Sequence, residues 1–440
     1  MTKAPAVLLV LLAACEPPFP PPSEAPDTSG IEVVAFPAAP APLDLLFVID
    51  DSPSMADKQA ALVASFPRLV EQLQSLDGGV PDLHLGVIST DMGVHASATL
   101  APGPAIGSVG NGGCAANGDN GALLTVPNVL TDPNARFLVQ SHNGATNFIG
   151  TLSTAFGSFA RLGSGGCGFE QPLAAIAASL TNPDNVGFLR PEASLAVIIL
   201  SDEDDCSVRD PSLFGPESAD LGPLQSFRCF RFGTECAPDD VNTPGVKSSC
   251  RPRATSQLID DVAEYRNLLL AAKDGDPRRV MIGAITGPTT RVEVELRTPP
   301  GGGTAQNAIS HACEYPTATG MAVADPGVRL ASFVNEFSGR KALASVCSSD
   351  LAPAATEVGK GLKRLVGDRC LERAIPAAMD CTVVDELDGQ EPTELFACRT
   401  NTTGACFAIV DDATCALGAR LEITRAAPAP AGTFVAMYCR

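Results

Sequence analysis

Two stretches of this chain are apolar without interruption: Leu45-Leu46-Phe47-Val48-Ile49 and Leu195-Ala196-Val197-Ile198-Ile199-Leu200. A strand with one wet face alternates apolar and polar residues. A run without alternation belongs on a strand buried on both faces, as in a parallel sheet covered by helices. Further strand-like runs fall at Leu83–Thr90, Val280–Thr286 and Ala342–Cys347. Between them lie helical periodicities: Leu62, Phe66, Leu69, Val70 and Leu73; then Leu258, Val262, Tyr265 and Leu269; then Val328 to Phe337 and Leu351 to Val366. Pro67 interrupts the first and predicts a kink or a later helix start. Strands alternating with helices imply right-handed crossovers and a mostly parallel α/β sheet.

Open sheets of this kind build ligand sites beyond the carboxyl ends of their strands. Both apolar runs end in oxygen-rich turns there: Asp50-Asp51-Ser52-Pro53-Ser54 after the first, Ser201-Asp202-Glu203-Asp204-Asp205 after the second. Carboxylates and hydroxyls are the donors that a hard cation such as Mg²⁺ takes, with water completing its octahedron. Asp50, Ser52 and Ser54 stand in the order D-x-S-x-S. With Asp202 they are the candidate metal set, while Glu203, Asp204 and Asp205 read as a solvated loop.

This arrangement resembles the metal-ion-dependent adhesion site of von Willebrand factor type A domains over about residues 43–367. The resemblance implies a Rossmann-like fold, Mg²⁺ (or Mn²⁺ or Ca²⁺) as the bound ion, and an open coordination position for an acidic side chain of a protein partner. It also calls for a Thr in a glycine-rich loop before a helix. That loop reads Gly163-Ser164-Gly165-Gly166-Cys167-Gly168-Phe169-Glu170-Gln171, with Cys167 where the Thr belongs. A thiol is a poor Mg²⁺ ligand, so either Ser164 or Glu170 supplies the missing oxygen, or the site runs on Asp50, Ser52, Ser54, Asp202 and water.

The first residues indicate export. Met1-Thr2-Lys3, the apolar Ala4 to Leu12 and Leu12-Ala13-Ala14-Cys15 resemble a lipoprotein signal (residues 1–14) with Cys15 as the lipidated first mature residue. The apolar part is too short to span a bilayer. Acyl chains on Cys15 would give a membrane anchor. Glu16 in place of Asp points to the outer membrane or cell surface rather than the inner membrane of a bacterium. Residues 15–42 form a tether with nine prolines after Cys15. At ~3.1 Å per residue it would reach roughly 80 Å, less if Ile31-Glu32-Val33-Val34 makes an edge strand.

The other 14 cysteines fall into even groups: Cys114 and Cys167; Cys206, Cys229, Cys236 and Cys250; Cys313 and Cys347; and six from Cys370 to Cys439. In an exported chain they are expected in mostly local disulfides. No C-x-x-C pair exists and the four histidines are scattered, so zinc is not expected. Two insertions, about 203–256 and 286–327, interrupt the α/β pattern, and the first is expected to overhang the ion. Residues 368–440 read as a small Cys-rich β unit that holds a glycosylation pattern, Asn401-Thr402-Thr403.

The net charge of −20 opposes nucleic acid and anionic lipid surfaces as partners. No hydrolase, P-loop or dinucleotide signature is present. The expectation is a membrane-anchored, non-catalytic lipoprotein that binds a protein partner through the metal site. The alternative is a structural envelope lipoprotein whose metal site is degenerate or closed.

Overall fold

The strand Leu43–Ile49 is buried at every position, as its unbroken apolar run requires. It pairs in parallel with Leu83–Ser89 on one side and Ser194–Leu200 on the other. Val280–Thr286 and Lys341–Ser345 continue the parallel series, and the short Leu138–Gln140 closes the opposite edge antiparallel. The chain is thus α/β, with a six-stranded, mostly parallel sheet at its centre. This is a computed structural model, and it describes residues 28–76, 79–96, 100–299, 302–337, 339–375, 380–399, 404–430 and 432–440. The signal segment, Cys15, the first part of the proline-rich stretch and the Asn401 pattern lie outside the described residues.

Alternate side chains of the central strand go to opposite faces. Leu43, Leu45, Phe47 and Ile49 pack under the helices Ala56–Gln74, Leu152–Phe159 and Ala352–Val366. Leu46 and Val48 pack under Pro172–Thr181, Val262–Ala271 and Val328–Asn335. On the first face Phe66 stacks on Phe156 at 3.9 Å between centroids, and Phe47 meets Phe156 at 4.6 Å. The helix expected to start late or kink at Pro67 instead runs through it from Ala56. Pro67 is exposed, so its ring lies on the water side of the helix and does not disturb the buried face.

Asp44, buried at the amino end of the central strand, accepts from the Arg190 backbone N–H at 2.7 Å and from Arg190 Nε at 2.8 Å. The wholly buried Lys273 ammonium stands 3.5 Å away. This charge cluster locks the end of the sheet opposite the rim that holds Asp50.

A second six-stranded sheet runs in the order Ile31–Pro37, Phe434–Cys439, Cys381–Glu386, Thr393–Ala397, Cys406–Asp411, Ala419–Thr424. Residues 31–37, within the stretch expected as tether, are therefore its edge strand, antiparallel to Phe434–Cys439. Arg340 donates to the Ala35 carbonyl, Arg278 pairs with Glu386 and lies over the Phe434 ring. Both arginines precede strands of the main sheet, so the small sheet packs at the end away from Asp50.

All 14 cysteines after Cys15 are bonded: Cys114–Cys167, Cys206–Cys229, Cys236–Cys250, Cys313–Cys347, Cys370–Cys415, Cys381–Cys439 and Cys398–Cys406. Every pair lies within one of the even groups. No helix among the described residues is long and apolar enough to cross a membrane.

Candidate metal centre

Asp50 and Asp202 leave adjacent parallel strands at the same rim. The Asp50 N–H donates to the Leu200 carbonyl at 2.9 Å, extending the ladder one residue past the central strand. Oδ1 of Asp50 accepts from the Ser52 N–H at 2.8 Å and Oδ2 from the Ser201 hydroxyl at 2.7 Å. The Ser52 and Ser54 hydroxyls are 3.2 Å apart. The chain turns before the helix at Ala56, which sets the Ser52 hydroxyl against Asp50 and the Ser54 hydroxyl against Asp202. Burial and the Asp202 charge push the Asp50 carboxyl up to about 7.

A lysine shares the site. Lys58, in the first turn of the following helix, is 2 % exposed. Its ammonium lies 2.7 Å from Asp202 Oδ2 and donates to the Ser54 carbonyl at 3.2 Å. Asp202 Oδ1 has no hydrogen-bond partner. Burial raises the Asp202 carboxyl and the lysine opposes that rise. Gln59 next to Lys58 clamps two segments, donating to the Asp50 carbonyl at 2.9 Å and to the Gly163 carbonyl at 2.8 Å.

The glycine-rich loop packs directly on the first acidic turn. The Gly166 N–H donates to the Asp51 carbonyl, and a Cβ at Gly166 would meet Asp51 Oδ1 at 2.2 Å, so only glycine permits this approach. Cys167 is locked to Cys114 and offers no ligand. Ser164 is exposed and makes no hydrogen bond to Asp50, Ser52, Ser54 or Asp202. Glu170 is 1 % exposed; its Oε2 accepts from Thr90 and its Oε1 has no partner. Burial, with the charges of Asp50 and Glu203, holds its carboxyl well above the ordinary range. Of the two substitutes for the missing Thr, the fold brings Glu170 toward Asp50 and leaves Ser164 outside.

The acidic turn after Asp202 is not a solvated loop. Asp204 takes the backbone N–H groups of Arg329 and Leu330, capping the helix that starts at Val328. Asp205 is fully buried in an ion pair with Arg329 at 2.9 Å and accepts the Leu173 N–H. Charges so placed cannot stay in water, because each carboxylate satisfies an otherwise orphaned helix terminus. Glu203 is partly buried, and burial with the charges of Asp325 and Asp202 raises its carboxyl well above the ordinary range. On the other side Asp51 faces Asp91 and Asp119. Burial and these charges push its carboxyl up to about 8.

Both insertions reach the rim. The hairpin Cys313–Pro316/Met321–Ala324 contacts the start of the Lys58 helix, where Thr317 and Thr319 donate to Asp57. Its Tyr315 is buried with an unpartnered hydroxyl; burial and the Asp202 and Asp57 charges push the phenol up to about 12. Asp325 donates its N–H to the Asp202 carbonyl at 2.8 Å. The second insertion thus also reaches Asp202, beside the first, which begins in the acidic turn itself.

Among the described residues no three His, Cys, Asp or Glu side chains form a metal cage. The candidate set is of another kind: the Asp50 and Asp202 carboxylates with the Ser52 and Ser54 hydroxyls. These hard donors, with an unpaired carboxylate oxygen on Asp202, fit a partly hydrated divalent cation. Lys58 is the group such an ion would have to compete with. Sequence reasoning missed Lys58, Gln59, Thr90 and Ser201. Lys58 could have been found, since it continues the buried stripe of Leu62, Phe66, Leu69 and Leu73 at helical spacing.

No known family's sequence profile matches the chain, and no curated protein matches it. Among solved structures it is similar to the human COPII-coat protein Sec24c, with 8 % identity, 92 % of this chain and 41 % of that chain covered, and a TM-score of 0.31. It is also similar to the pilus adhesin RrgA from Streptococcus pneumoniae, with 11 % identity, 93 % and 58 % covered, and a TM-score of 0.24. The chain thus spans about two fifths and three fifths of the length of these two proteins.

Proposed function

We propose that residues 43–367 form a von Willebrand factor type A-like domain that binds a protein partner through a divalent cation, without catalysis. Asp50, Ser52, Ser54 and Asp202 would hold the ion, preferentially Mg²⁺ or Mn²⁺. The ion would supply the local positive charge that lets a strongly acidic protein accept a partner's carboxylate. One observation carries the reading: Asp50 and Asp202 stand side by side at one rim, the Ser52 hydroxyl on the first and the Ser54 hydroxyl on the second. The mostly parallel sheet with one antiparallel edge supports it.

The position of the first described strand is compatible with a tethered binder. The chain enters through the Ile31–Pro37 strand, at the end of the main sheet away from Asp50.

A second reading is favoured by the Lys58–Asp202 pair: a closed site in which the ammonium is the resident cation and the protein is structural. Calorimetric titration with MgCl2 separates the two. The first reading expects saturable binding that Asp50→Ala abolishes while the domain stays folded, and partner capture that EDTA reverses. No binding heat, or capture indifferent to EDTA, would leave only the second.

A further inference from the structure

Beside the candidate metal centre the two insertions enclose a cavity of about 390 Å³. Its walls are apolar: Phe227, Phe230, Leu224, Ile309 and the Cys206–Cys229 disulfide. Four carboxylates line it as well: Glu170, Glu203, Asp204 and Asp325. Two of these carboxylates are already engaged. Asp204 caps the Val328 helix, and Asp325 Oδ1 lies 2.6 Å from His311 Nδ1. Glu170 keeps Oε1 unpartnered although the residue is almost wholly buried. Glu203, with no side-chain ion pair among the described residues, stands beside it. Arg297 is the one basic side chain among the described lining residues. It is committed, donating to Glu295 at 2.9 Å and to the Ile309 carbonyl at 2.7 Å.

A buried, unpartnered carboxylate on the wall of a partly apolar cavity is costly unless something with positive charge meets it. A hard divalent ion held by two carboxylates keeps several waters, and the phenyl and disulfide walls offer those waters no hydrogen-bond partners. An ammonium on an apolar stem meets both halves: its three N–H donors reach the carboxylates, and its methylenes pack along the rings. Phenylalanine faces add cation–π attraction.

We propose that this cavity is a binding site for an alkylammonium group, such as a lysine side chain of a partner protein or a free aliphatic amine. It lies next to the metal centre and does not depend on it.

The test is calorimetry on the full chain in EDTA, repeated in MgCl2, with three probes. Nα-acetyl-lysine methylamide represents a protein lysine, pentylammonium a free amine, and Nα-acetyl-norleucine methylamide is the uncharged counterpart. At least one ammonium probe is expected to bind about tenfold or more tighter than the norleucine amide, the scale of a charge-assisted hydrogen bond in a dry site. Which one binds tighter identifies the source. Glu170→Gln, isosteric and checked by its unchanged thermal melt, should erase the preference, and Glu203→Gln should weaken it. Should Glu170→Gln not fold, Glu203→Gln decides alone. The proposal is overturned if the norleucine amide binds as well as the ammonium probes. It is equally overturned if the folded Gln variants keep the preference, or if no probe binds at about 10 mM. Because metal-free protein serves, failure here leaves the metal reading untouched, and failure of the metal reading leaves this result standing.

Discussion

Replacing Lys58 by Met keeps the length and apolar stem of the side chain and removes only its charge. At 2.7 Å from Asp202 Oδ2, with both groups almost fully buried, the ammonium is that carboxylate's counter-ion. With an effective dielectric constant of about 20, Coulomb attraction at this distance is about 6 kcal/mol. Desolvation offsets much of it, but deleting one partner strands the other charge, and such deletions cost about 3–5 kcal/mol. Lys58→Met should therefore lower unfolding stability by about 3–5 kcal/mol in EDTA, read by urea denaturation with an unchanged slope. The same deletion opens Asp202 to a cation. Mg²⁺ at about 100 times its dissociation constant should then restore about 2.7 kcal/mol. The wild type should gain less, because the Lys58 bridge must first open. A variant as stable as the wild type in EDTA would show that the ion pair contributes nothing. A variant that Mg²⁺ rescues no better than the wild type would show that Lys58 and the metal do not compete.

Other tests follow from buried charge elsewhere. The folded protein raises the Asp50 and Asp51 carboxyls from 3.8 to about 7 and about 8. Raised carboxyls favour the folded state fully below the unfolded value and lose that contribution as pH climbs through the folded one. In EDTA, stability should fall from about pH 4 toward pH 8, and Asp50→Asn should flatten part of the slope; a curve that rises with pH over that range refutes this. At the far end of the sheet, Asp44→Asn should cost about 3–5 kcal/mol by leaving the buried Lys273 without its carboxylate. It should leave Mg²⁺ affinity unchanged, and a large change would mean that the two ends of the sheet are coupled.

The layered core was legible because burial on two faces leaves an unmistakable pattern. Leu45–Ile49 and Leu195–Leu200 could be assigned to a parallel sheet from their unbroken apolarity, while their pairing with each other comes only from the structure. Once they were parallel, Asp50 and Asp202 had to emerge at one rim. The edge strand Leu138–Gln140 escaped notice because three residues carry no periodicity. The acidic turn was misread for a different reason. Asp205 is buried only because Arg329, far along the chain, folds over it, and a run of carboxylates carries no trace of that partner. Lys58 was hidden by its type, since a lysine on an apolar stripe is ordinarily taken to reach out to water. The Ile31–Pro37 strand was legible in part, since Ile31-Glu32-Val33-Val34 reads as an edge strand, but its partner at the far end of the chain, Phe434–Cys439, left no trace in the local pattern.

Anomalous scattering from crystals soaked in MnCl2 tests the central claim most directly. The account predicts one strong peak enclosed by Asp50, Ser52, Ser54 and Asp202, with the Lys58 ammonium withdrawn from Asp202. Crystals with no peak at that rim, and Lys58 still bonded to Asp202, would contradict it.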